Sequence, residues 1–295
     1  MSEAVNRLAA AHLASVPSTS KPALSSTPST AVARTPRVLG ERGFMVLSWI
    51  APLVLVLAWE CFARLGTLSP QVLPAPSKVL LTAWNLIQEG RLLSDLGASL
   101  LRAIAGFVIG GATGFILGTL VGFSRLAEAL LDRSVQMVRA VPFLAALPLV
   151  IVWFGVDEGG KVFLVSLGVM FPIYINTVLG IRQIDPRLIE LGRVTGLSNW
   201  TLIRRIILPG ALPSILAGVR YALAVAWLAL VIAETIATNS GIGSLAMDAR
   251  EFLRTDVIVL TIVIYAGIGV ASDAIARALE RRLLSWHPNY ARRSA

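Results

Sequence analysis

The chain has 295 residues, 56% of them hydrophobic and only 15% charged, with a mean hydropathy of +0.75. Soluble domains carry about 25% charged residues, so this composition excludes a soluble globular enzyme and indicates an integral membrane protein. The formal net charge of +9, from 26 basic and 17 acidic residues, lies in short tracts between apolar runs; a nucleic-acid binder would gather it on one wet face.

Residues 1–40 are rich in Ser, Thr, Pro and Ala and show no apolar period. Such a stretch cannot bury enough surface to offset its chain entropy, so residues 1–42 are expected to form a disordered tail. Beyond Arg42, six stretches reach the roughly 20 residues that cross a hydrocarbon core. They run over Phe44–Leu65, Ser99–Phe123, Ser134–Val156, Val162–Ile181, Ile215–Ile236 and Val257–Ala276. Arg220, Glu234 and Asp273 interrupt the last two near their ends. Cys61 is the single cysteine and falls inside the first stretch, so no internal disulfide can form.

An even number of spans puts both termini on one side. With the tail inside, 17 of the 26 basic residues fall in inner segments and 6 in outer ones, with Arg102, Arg139 and Arg220 inside spans. The excess of inner Lys and Arg expects both termini in the cytoplasm.

Span two carries Gly106, Gly110, Gly114, Gly118 and Gly122. Residues four apart share a helix face, so the stripe forms a groove in which another helix can approach closely. Pro142, Pro148 and Pro172 each remove a backbone donor and are expected to kink spans three and four. Gly155 to Lys161 has the spacing of a phosphate-binding loop, yet Val162 stands where Ser or Thr would hold magnesium, and no soluble strand precedes it. A tight turn is expected there. No metal-ligand spacing and no Gly-x-Ser-x-Gly nucleophile occur, so neither catalysis nor a cofactor is expected.

The inner loop over 182–214 is the most informative segment. Asp185-Pro186 reads as an N-cap with proline at the first helical position. A short helix to Thr195 follows, stopped by Gly196. Ser198 caps a second short helix to about Ile207, broken by Leu208-Pro209-Gly210. The expected product is a helix–turn–helix elbow between spans four and five.

Glu190, Gly196, Ile206, Leu208 and Pro209 resemble the E-A-A-x-x-x-G-x₉-I-x-L-P loop of type I ABC importer permeases, with Leu191-Gly192 replacing the usual Ala-Ala. The similarity continues in VQMVRAVP (135–142), LPLVIVWFG (147–155), FPIYINT (171–177), LPGALPSI (208–215), AETIATNSGIG (233–243) and LAMDAREFLRTDV (245–257). These runs look most like the permease subunit of aliphatic sulfonate importers; the nitrate, taurine and thiamine-precursor permeases share part of them.

The resemblance implies an all-α, six-helix permease fold with a cytoplasmic coupling helix, in a bacterial inner membrane. It divides the chain into a tail (1–42), a first transmembrane helix with outer linker (43–92), a permease core (93–279) and a cytoplasmic C-terminal tail (280–295). It implies a homodimer, two cytoplasmic ATPase subunits, and a periplasmic or lipid-anchored binding protein. Gly196 would then set the elbow's angle, Glu190 would bond at the ATPase joint, and Leu208-Pro209 would anchor the elbow to span five. For the path itself, Arg139 lies just before Pro142, where a guanidinium either snorkels to the interface or offers its forked donors to an oxyanion. Trp153, Trp227 and Glu234 are further candidates, Glu234 equally as a structural partner. A stand-alone channel or secondary transporter is the competing class, but no inverted repeat is visible.

Overall fold

The computed structural model describes residues 41–66, 69, 71–236 and 240–287. The expected tail over 1–42 lies outside the described residues, apart from Glu41 and Arg42, which open the first helix; so do the last residues of the expected C-terminal tail, 288–295. The chain divides into two compact units, Met1–Pro52 and Leu53–Ala295. The described part of the first is the opening of helix α1 (Glu41–Arg64).

The second unit continues with α2 (Pro76–Gln88), α3 (Arg91–Phe123), α4 (Arg125–Ala140), α5 (Phe143–Phe154), α6 (Glu158–Arg182), α7 (Pro186–Val194), α8 (Asn199–Ile236), α9 (Ile242–Glu251) and α10 (Thr255–Leu283). No strand occurs among the described residues. α3, α6, α8 and α10 are each long and apolar enough to cross a membrane, and α4 with α5 makes a fifth candidate if that pair, bent by 80°, is one span. α1 covers the first expected span.

The third expected span, Ser134–Val156, is therefore two helices. The break falls at Val141, whose extended backbone (φ −76°, ψ 121°) is the conformation forced on a residue preceding proline. Pro148 adds no kink: it occupies the first turn of the α-helical part of α5, where its missing donor is not needed. Pro172 stays inside α6, and Asn176 Nδ2 donates to its carbonyl at 2.9 Å.

α6 is the central element, with α3 on one side and α8 on the other. The glycine stripe of α3 is filled by α6 running parallel to it. A Cβ at Gly106 would strike Val165, one at Gly118 would lie 2.8 Å from Thr177, and those at Gly110 and Gly114 would enter the backbone of Ser166 and Met170. Gly122 meets Ile181. Close backbone approach is what drives helix association where no hydrophobic force separates helix from lipid. α8 packs antiparallel on the other face through Gly168, Gly180 and Gly218, and the shared core holds Val165, Val169, Ile173, Ala222, Ala226 and Leu230. A second apolar cluster joins α2, α9 and the first turn of α10 through Val79, Leu86, Ile242, Leu245 and Val257.

Candidate coupling elbow and transport cleft

The elbow is built by local chemistry. Asp185 accepts from the Arg187 amide at 2.9 Å, and Pro186 takes the first helical position of α7. Gly196 follows with φ +77°, and the Leu197 amide closes back on the Gly192 carbonyl at 3.0 Å. Ser198 then caps α8, accepting from the Thr201 amide at 3.3 Å. A Cβ at Gly196 would meet nothing within 4 Å, so only its backbone conformation calls for glycine. Gly192 differs: a Cβ there would come within 2.5 Å of the Leu202 side chain. The departure from Ala-Ala thus lets the two arms of the elbow close on each other.

The second arm does not end where the sequence suggests. Leu208-Pro209-Gly210 leaves α8 unbroken, because residues Ile203–Ile207 adopt a π-turn in which the Leu208 amide bonds to the Ile203 carbonyl. The wider turn accommodates the clash and missing donor of Pro209. Elbow and membrane helix are one continuous element.

Glu190 is exposed on α7 and makes no hydrogen bond or ion pair among the described residues. Val194, at the tip, is 86% exposed, and Leu188, Leu191 and Trp200 are exposed beside it. Ile206 and Pro209 line an apolar groove of about 780 Å³ with Leu188, Leu191 and Trp286, and Leu208 is partly exposed nearby. Trp286 comes from the stretch that the sequence suggests is a tail, so nothing local linked it to the elbow.

At the far end of the bundle the spans are tied by charge. Arg102 of α3 forks onto both carboxylate oxygens of Glu158, donates to Glu234 of α8 at 2.7 Å, and bonds Ser240 through its carbonyl and hydroxyl. Ser99 Oγ lies 2.8 Å from both Glu234 oxygens, and the Gly243 amide donates to one of them at 3.0 Å. Lys161, the lysine of the apparent phosphate loop, pairs with Glu158 at 3.1 Å. Gly241 (φ +110°) and Gly243 let the loop wrap this carboxylate; a Cβ on either would lie 2.5 Å from Glu234. Glu234 is therefore enclosed by donors and faces no cavity.

The other path candidates separate. Arg139 is exposed, has no hydrogen bond or ion pair among the described residues, and lines a cavity of about 270 Å³ with Phe171 and Tyr221. Trp227 donates to Ser272 of α10 at 2.8 Å and lines a cleft of about 670 Å³ between α8 and α10. Tyr221, 63% exposed, borders both. Trp153 is exposed on α5, outside this wall.

The family model described as binding-protein-dependent transport system inner membrane component matches residues 110–285. The chain belongs to this family. It is 52% identical to the aliphatic sulfonates transport permease protein SsuC of Escherichia coli (strain K12), over 83% of this chain and 93% of that one. It is 44% identical to SsuC of Bacillus subtilis (strain 168), over 82% and 87%. A crystal structure of an amino acid ABC transporter shares the fold, with TM-score 0.57 and 18% identity over 68% of this chain and 97% of that one. The protein is thus a multi-pass membrane permease subunit of an ABC importer. Permeases of this family work with ATPase and substrate-binding subunits, and ATP hydrolysis falls to the ATPase partners.

Proposed function

We propose that this binding-protein-dependent permease passes aliphatic sulfonates through a path between two copies of itself, and that its elbow is the joint to the cytoplasmic ATPase. The 52% identity to SsuC across 93% of that protein carries the substrate. The shape of the elbow supports the joint: an exposed apolar tip and groove, with Arg187, Arg193, Arg204 and Arg205 exposed around them. Both termini and the elbow then lie in the cytoplasm, in keeping with the 17-to-6 bias of basic residues, and the permease core extends over 93–279.

Closure of two ATPases draws the paired elbows together, and each α8 moves with its elbow because no break intervenes. The work of ATP binding becomes a change in which end of the path is open, a two-state shift and not a chemical step. Gly196 sets the elbow's turn, Glu190 meets a cation of the ATPase, and Ile206, Leu208 and Pro209 join the elbow to its span. Arg139 and Trp227 face the path on either side of Tyr221; Glu234 holds the far end together. The test is ethanesulfonate uptake by proteoliposomes holding the permease, its ATPase and its binding protein. Uptake that requires ATP and all three supports the reading; uptake without the ATPase points to a secondary transporter and overturns it.

A further inference from the structure

Arg220 Nε donates to Asp273 Oδ1 at 2.6 Å, joining α8 to α10, yet the two side chains remain 44% and 35% exposed. Arg220 stands about 18 Å of helix from Leu208, and Asp273 about 15 Å from Leu283. Both stand near the ends of their apolar stretches, and an ionisable group inside a span faces water or protein, because hydrocarbon penalises it. The cleft that Arg220, Asp273, Tyr221 and Trp227 line is the space they face.

Two features give this pair a transport role. First, Arg220 uses only Nε among the described residues, so both Nη groups are unclaimed. Second, Arg277 Nη1 holds the other oxygen of Asp273, so Asp273 can release Arg220 without being left alone.

We propose that Arg220 is an anion subsite of the path: the sulfonate headgroup takes the guanidinium fork from Asp273, which stays with Arg277, while Tyr221 and Trp227 cover the aliphatic part. The planar fork matches a tetrahedral oxyanion in a way a point charge does not. This rests on the reading of the chain as an importer of small organic anions, and it adds a residue that handles the anion within the cleft.

The experiment is uptake by the reconstituted complex, using whichever of ethanesulfonate, taurine and nitrate the unaltered protein imports, with assembled complex quantified in parallel. Arg220→Gln is expected to lower uptake by about tenfold or more, the worth of one charged hydrogen-bonding group, at unchanged assembly. The exchange Arg220→Asp with Asp273→Arg keeps an ion pair between the helices but moves the cation to α10, and is expected to remain as poor. Full recovery by the exchange would make the pair a simple interhelical tie and overturn the proposal. If Arg220→Gln does not assemble, Arg220→Lys decides: reduced uptake in an assembled complex supports the fork, and normal uptake overturns it. Failure of the unaltered protein to import any of the three anions removes the small-anion reading as well, whereas normal import by it and by Arg220→Gln alike removes the subsite alone.

Discussion

Arg102 of α3 donates to Glu234 of α8 at 2.7 Å, with side chains 5% and 0% exposed. Removing Glu234 leaves Arg102 with Glu158 alone and strips the buried Ser99 hydroxyl and Gly243 amide of their acceptor, at about 1–3 kcal/mol for each buried group left unpaired. Glu234→Ala is therefore expected to lower the melting temperature of the purified protein sharply. Asp248→Asn, which breaks the exposed Arg91–Asp248 pair, is expected to cost less than about 1 kcal/mol. Equal small shifts would show that the Glu234 enclosure contributes no stability.

The glycine stripe gives a graded expectation. Gly110→Ala and Gly114→Ala push a methyl into the α6 backbone and are expected to destabilise by about 1–3 kcal/mol. Gly267→Ala, where a Cβ meets nothing within 4 Å, is expected to be neutral. Thermal unfolding in one detergent ranks the three, and a loss at Gly267 as large as at Gly110 would remove packing as the explanation.

At the elbow, Gly196 has φ +77° and open space around it. A β-branched residue there costs about 1–2 kcal/mol in backbone strain, whereas asparagine tolerates this conformation. Gly196→Val is expected to insert normally but uncouple ATP hydrolysis from uptake; Gly196→Asn is expected to transport. Glu190→Lys, reversing an unpaired exposed charge, is expected to weaken ATPase retention on the purified permease. Normal coupling in both Gly196→Val and Glu190→Lys would remove the elbow as the joint.

The local chemistry of this elbow was legible in the sequence because Asp185, Pro186, Gly196 and Ser198 act on backbone groups two or three residues away. Pro209 was not: its effect depends on the π-turn over Ile203–Ile207 that the same loop supplies. Arg102 and Glu234 stand out as charges in apolar stretches, but 132 residues separate them, and no period relates one span's charge to another's. Trp286 was hidden for the same reason, since only the packed chain brings it to the elbow.

Topology is open to direct labelling. In a Cys61→Ala background, cysteines at Arg125, Arg193 and Arg281 are expected to react with an impermeant thiol reagent only from the cytoplasm, and those at Asp157 and Arg250 only from outside. Labelling at position 193 on intact cells would overturn the orientation.

Arg139 separates two accounts. As a group lining the path, it is expected to lose most anion uptake on Arg139→Gln at unchanged abundance. If it only reaches for the interface, Arg139→Lys is tolerated and uptake follows abundance in both variants.

The unbroken course of α8, 38 residues from Asn199 to Ile236, makes a rod about 57 Å long. Its base is the elbow and its tip carries Glu234. A rod tilted by about 5° at the base moves its tip by about 5 Å, more than the Arg102–Glu234 hydrogen bond can stretch. Elbow and charge cluster therefore cannot rearrange independently: either α3 travels with α8, or every stroke at one membrane face must unlatch the other.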